Sequence, residues 1–266
     1  MTQTPKRLET TFKALSRPAL ITFIMASDPT YEESLALLKS LPEAGADMIE
    51  LGMPFTDPVA DGPVIQLAGQ RALKAGGSMI QTLRMVRAFR ETNTQTPLVL
   101  MGYYNPVFRY GPARFVKEIA QAGIDGIILV DLPPEESQEI QTLCKTHSLD
   151  LIRLITPTTD TERLGVILNG ASGFLYYVSI TGVTGAARAD LEKIKPHLAN
   201  ITAQTTLPIA IGFGIKTPED AQTMGTLGEA IVVGSSLIQT LCDKGIEAVH
   251  DHVRTLSQAL KASHLA

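Results

Sequence analysis

The chain has 266 residues, 44% of them hydrophobic, and a formal net charge of -4. That length suits one large α/β barrel or two smaller domains, with a sizeable core either way. The mild acidity lacks the basic stripe of a nucleic-acid binder. Cys144 and Cys242 lie far apart without CxxC or histidine company, and read as free thiols of a reducing compartment.

From the N-terminus, Leu8–Ser16 predicts a helix ahead of the first strand. Lys6, Arg7, Lys13 and Arg17 precede ALITFIMA and imitate a signal peptide. The apolar run is short and broken by Thr22, and Ser27-Asp28-Pro29 is no small-x-small cleavage site. Nothing approaches roughly 18 unbroken apolar residues. The expectation is a cytoplasmic protein with no membrane and no nucleic-acid partner.

Short β-branched runs then recur at 19–25, 47–51, 97–103, 125–130, 150–155, 173–178, 207–212 and 229–234. Helical patterns lie between them, among them Tyr31–Glu43, Ala113–Ala122, Pro134–Thr146, Thr161–Leu168 and Pro218–Met224, with Ile246–Leu260 closing the chain. Thr30 and Thr217 sit where caps belong, and Pro218 where a first helical residue does. Strands alternating with helices at this count predict a (β/α)8 TIM barrel with an extra N-terminal helix, one domain over residues 1–266. An open doubly wound sheet is the alternative, and usually has fewer strands. A weak repeat supports the barrel: AGADMIEL (44–51) aligns with AGIDGIIL (122–129), and Glu50 falls where its sister unit has Ile128.

That carboxylate opens the functional question. The stretch IELGMPFTDPVADGP (49–63) ends a strand and continues as a Pro-rich loop carrying Asp57 and Asp61. Strand side chains alternate faces, so Met48 and Glu50 share one face and Ile49 and Leu51 the other, both dry in a barrel. An isolated charge there is costly. No basic residue lies between Lys39 and Arg71; Arg153, on another strand, is the candidate for a structural ion pair. Against that pair stands position: barrel enzymes keep their chemistry at the C-terminal ends of strands. Prolines restrict the loop and hold its two aspartates, although Asp61-Gly62-Pro63 equally suits a cap before a helix beginning near Val64.

GVTGA (182–186), GFGI (212–215) and VGSS (233–236) follow the last three strands. Gly after a strand is ordinary, but barrels often bind phosphate on the loops after strands seven and eight, at a helix N-terminus. A small phosphorylated substrate is therefore expected, with Ser235 and Ser236 as extra donors. TGVTGAARAD (181–190) reads as a lid. No histidine cluster suggests a metal, and no GxGxxG follows the first strand.

These residues carry a resemblance. IELGMPFTDPVADGP resembles the signature of the tryptophan synthase alpha chain family, and GYYNPVF, DLPPEE, YVSITGVTGA, GFGI and VGSS follow in that family's order, across essentially the whole chain. The resemblance implies a (β/α)8 barrel that cleaves indole-3-glycerol phosphate to indole and glyceraldehyde 3-phosphate in tryptophan biosynthesis. It implies no cofactor in this chain and a pyridoxal-phosphate beta partner in an alpha2beta2 heterotetramer. By position, Glu50 and Asp61 match the two catalytic acids. Phe23, Tyr103, Tyr176 and Phe213 match site-lining residues, and Gly185, Gly214, Gly234 and Ser235 match phosphate contacts. Thr184 matches the lid threonine, and Asp57 sits where the family communicates with its partner. Met25 and Ser27 stand where many members have Thr and Gly, and Ile180 where some have Arg. Two rival functions stay open on sequence alone: another phosphosugar barrel of amino-acid biosynthesis, and a barrel kept only to regulate a partner.

Overall fold

The computed structural model describes residues 6–178, 187–212 and 214–263. Its sheet is parallel throughout: β1 (Ala19–Met25), β2 (Met48–Gly52), β3 (Leu98–Gly102), β4 (Gly126–Leu129), β5 (Asp150–Leu151), β6 (Arg153–Ile155), β7 (Leu175–Val178), β8 (Ile209–Gly212) and β9 (Ala230–Val233). The order β5-β4-β3-β2-β1-β9-β8-β7-β6 shows how it curls into an α/β barrel. β5 pairs with β4 and β6 with β7, so the expected strand 150–155 is one strand interrupted at Ile152, each half bound to a different neighbour. Ile152 N–H still donates to Ile127 O at 3.0 Å, carrying the pairing with β4 one residue further.

Alternation sorts the strand side chains as expected. Ile21, Met48, Val99, Ile128, Ile152, Phe174, Ala210 and Ala230 fill the barrel interior, while Leu20, Ile49, Leu51, Leu98, Leu100 and Ile127 pack outward against the helices. Both layers are buried, which is why parallel strands read as continuous apolar runs. The N-terminal helix (Arg7–Ala14) closes the bottom. Its Leu8 is fully buried in the interior layer, and Phe12 meets the Phe174 ring at 6.0 Å. Lys6 to Asp150 (2.6 Å) and Arg7 to Asp125 (2.8 Å) fasten it to the start of β5 and to the residue before β4.

The helix caps follow the sequence closely. The Thr30 hydroxyl accepts the Glu33 N–H ahead of Tyr31–Ala44. Thr217 and Asp220 form a reciprocal capping box ahead of Pro218–Gly225. The pattern 134–146 resolves into a short 3-10 turn (Pro134–Glu136) and a helix (Gln138–Thr146), because Ser137 breaks from helical geometry between them. Among the described residues, no helix is long and apolar enough to cross a membrane.

Candidate active site

Glu50 stands on the inward face of β2, its register partner on β1 being Phe23. It is fully buried, and neither carboxylate oxygen has a hydrogen-bond partner. Burial pushes its pKa up to about 8, so near neutrality the protonated form predominates. Arg153 is not its counter-ion. That guanidinium points to the outer layer, where it donates to Leu132 O and the Ser137 hydroxyl. The reading of Glu50 as half of a structural ion pair therefore falls.

Asp61 lies on the β2 loop, ahead of the helix Pro63–Lys74. It does not cap that helix: Gly62 occupies the cap position, with no side-chain cap bond. Burial raises the Asp61 pKa, and the nearby Tyr103 phenol opposes that rise. The Tyr103 hydroxyl accepts the Ala60 N–H at 3.0 Å. The phenol that follows β3 thus holds the backbone of the loop next to the Asp61 carboxyl. The Phe55 ring sits 5.4 Å from the Tyr103 ring and backs it.

Above these groups a cavity of about 550 Å³ opens at the C-terminal ends of the strands. Phe23, Asp61, Met101 and Tyr176 line it together with Gly212, Gly214, Gly234 and Ser235. Tyr176 is raised well above an ordinary phenol, first by burial and then by the nearby Glu50 charge. A Cβ on Gly212 would come within 2.7 Å of the Tyr176 hydroxyl, so only glycine leaves that phenol its place. Glu50 does not itself line the cavity; it lies buried beside Phe23 and Tyr176, which do.

The glycines of the lining offer groups that suit an anion. Gly234 precedes the helix Ser235–Lys244 with no side-chain cap, leaving the first N–H groups open. Gly214 has φ +60°, and a Cβ there would meet nothing within 4 Å. A larger cavity, about 870 Å³, lies at the opposite end under the N-terminal helix. Its lysines and Arg17 are already paired, with Asp150, Glu9 and Asp47, and it is remote from the strand C-termini. The chemistry belongs to the smaller one.

Of the residues singled out in the sequence, Phe23, Asp61, Tyr176, Gly214, Gly234 and Ser235 meet around this cavity. Glu50 lies buried next to it. Tyr103 borders a small annexe with Met25, Met53 and Asp61. Asp57 is exposed on the loop. Thr184, Gly185, Phe213 and Ile180 lie outside the described residues, as does the expected lid up to residue 186; from Ala187 the chain is helical. Sequence reasoning passed over Met101 and Val232, inward positions legible from strand alternation, over Ile65 in the first turn of the helix Pro63–Lys74, and over Lys216 on the loop after β8.

Residues 10–264 match the family model for the tryptophan synthase alpha chain. The chain belongs to that family. The solved tryptophan synthase subunit alpha of Legionella pneumophila str. Paris is 38% identical, with a TM-score of 0.91 over 97% of this chain and 100% of that one. A structure of Mycobacterium tuberculosis tryptophan synthase matches at 32% identity and a TM-score of 0.89, covering 97% of this chain and 99% of that one. Membership makes the chain a carbon–carbon lyase of tryptophan biosynthesis. It carries out the alpha reaction, the cleavage of indole-3-glycerol phosphate to indole and glyceraldehyde 3-phosphate. The family needs no cofactor of its own for this step and implies a beta-chain partner.

Proposed function

We propose that in this chain Glu50 moves the protons of the alpha reaction and Asp61 holds the indole nitrogen. The observation that carries this is the unpartnered Glu50 carboxyl, buried at a strand end and half-titrated only at about pH 8. Indole is a poor carbanion leaving group. Glu50, protonated, gives its proton to C3, and the positive charge is shared with the ring nitrogen. Asp61 accepts the ring N–H and stabilises that charge. The side-chain hydroxyl then loses its proton to the Glu50 carboxylate. The C–C bond breaks, its electron pair restores the indole ring, and the former carbinol carbon leaves as an aldehyde. A basic neighbour would clamp Glu50 ionised and forfeit the first step. Because the carboxyl lies beside the cavity wall, it reaches C3 by turning about its own side-chain bonds.

The glycine side of the cavity takes the substrate phosphate through open N–H groups at Gly214, Gly234 and Ser235. Gly185 belongs with them by sequence position, Thr184 with the lid, and Phe213 with the ring-binding wall. The whole chain acts as one barrel domain in the cytoplasm. It works in an alpha2beta2 assembly whose beta chain carries pyridoxal phosphate and consumes the indole. Two exposed apolar side chains, Val59 (84% exposed) on the loop after β2 and Phe108 (64%) on the short helix Tyr104–Tyr110 after β3, support docking there.

Indole release from indole-3-glycerol phosphate by the isolated chain tests the assignment. Glu50→Gln should fold, bind substrate and lose roughly 10²-fold or more in rate. Near-normal turnover would remove Glu50 from the mechanism.

A further inference from the structure

We propose that Lys216 supplies the cationic side chain of the phosphate cup, and so gives the site its preference for a dianionic ligand over a neutral one. The inference rests on the phosphate assignment made above. A phosphate monoester brings a charge of about -2 at neutral pH. The backbone N–H groups and helix terminus that line the cup offer only partial charges. Lys216 is the one residue with a cationic side chain among the described residues lining this cavity. It stands two residues after Gly214 and follows Ile215, whose carbonyl accepts the Ser236 hydroxyl at 3.0 Å, so it neighbours residues 234–236. Asp61 is the acid among the lining residues and sits on the β2 loop instead. The lining therefore offers one group suited to a developing positive charge on a ring and, on a different loop, one suited to an anion.

The backbone beneath Lys216 is fixed on three sides. Its N–H donates to Asp220 Oδ2 at 3.0 Å, within the capping box of the next helix. Its carbonyl accepts from His252 Nε2 at 2.8 Å. The preceding carbonyl, Ile215 O, accepts the Ser236 hydroxyl at 3.0 Å, which ties the β8 loop to the helix that presents its N-terminus. The lysine stem thus leaves from a set point on the rim, while its side chain stays exposed. No ion pair to Lys216 exists among the described residues. Asp220, four residues on, already accepts two backbone N–H groups on one oxygen, from Lys216 and Thr217. A free ammonium at the rim of an anion cup strengthens binding through a charge-assisted hydrogen bond and also attracts the ligand from a distance.

The test uses Lys216→Gln and Lys216→Arg in the whole chain, with two readouts. In the first, indole-3-glycerol phosphate cleavage is followed as a function of substrate and salt. The glutamine variant should raise KM about 3- to 10-fold with kcat nearly unchanged, because the contact is equal in ground and transition states. Its kcat/KM should also fall less steeply with salt than that of the wild type. Arginine should restore most of the KM. In the second, calorimetry measures glycerol 3-phosphate and indole on each protein. Only the phosphate ester should weaken. An unchanged KM and salt response, or equal weakening of both ligands, overturns the role of Lys216, as does a loss that arginine does not repair. If the wild type released no indole, the catalytic assignment would fail by itself; the calorimetric comparison would still decide for or against Lys216.

Discussion

Ala60 donates its backbone N–H to the Tyr103 hydroxyl at 3.0 Å, across 43 residues of sequence. The same phenol stands near the neighbouring Asp61 carboxyl and opposes the rise that burial gives its pKa. The Asp61 loop is therefore set by the end of another strand and not by its prolines alone. Tyr103→Phe removes the Ala60 bond and the hydroxyl near Asp61 while keeping the ring against Phe55. At about 1 kcal/mol for a net hydrogen bond, kcat for indole-3-glycerol phosphate should fall roughly 5-fold. Steady-state kinetics on a variant of unchanged melting temperature would check it. An unaltered kcat would mean that Asp61 needs no such anchor.

Glu50 also makes a prediction about stability. Its folded pKa is about 8, against roughly 4.3 in an unfolded chain. Between these values the folded state holds the extra proton, so this contribution to stability is complete below the lower value. It is lost as pH rises through the upper one. Glu50→Gln cannot titrate, so its stability should fall less with rising pH, by up to about 1.4 kcal/mol per pH unit in that window. Denaturant melts of both proteins at about pH 5, 6.5 and 8 supply the comparison. Parallel curves would show that Glu50 ionises normally in the fold.

Ser27 sits at φ 66°, a conformation that favours glycine, and it is buried with its hydroxyl oxygen unpartnered. A side chain in that conformation costs roughly 1 kcal/mol relative to glycine. Ser27→Gly should accordingly stabilise the chain by about 1 kcal/mol, or raise Tm by roughly 2–4 °C. A lower Tm in differential scanning calorimetry would contradict this.

Gly214 faces open space with φ +60°, so a Cβ there stands where the phosphate is assigned. Gly214→Ala should raise the KM for indole-3-glycerol phosphate about tenfold and leave the affinity for phosphate-free indole within about twofold. Equal losses for the two ligands would point to local misfolding instead of a blocked cup.

Asp57 is exposed on the loop between Glu50 and Asp61 and has no assigned proton. If a beta chain docks at this mouth, Asp57→Ala should weaken its activation of indole release by roughly 5-fold or more while sparing the slow reaction of the isolated chain. Assays with and without a cognate beta chain decide. Undiminished activation of the mutant would clear Asp57 of any coupling role.

Much of this was legible in the sequence because it depends on local rules. Alternation alone turned Glu50 inward with Met48 and Ile49 outward. Cap residues placed the helices that begin after Thr30 and Thr217. The glycines at 214 and 234 were legible as turn and uncapped helix start, since neither needs distant information. Tertiary structure decided what those residues meet. It turned Arg153 toward Leu132 and Ser137, leaving Glu50 unpaired. It split the fifth strand at Ile152 between two neighbours to curl the barrel, and brought Tyr103 to the Asp61 loop. It also set Lys216 on the rim of the cup. The physical reason is the same each time: side-chain period and backbone propensity are fixed within a few residues. A buried group's partner, and so its charge, is chosen by which strands and loops the closing sheet brings together.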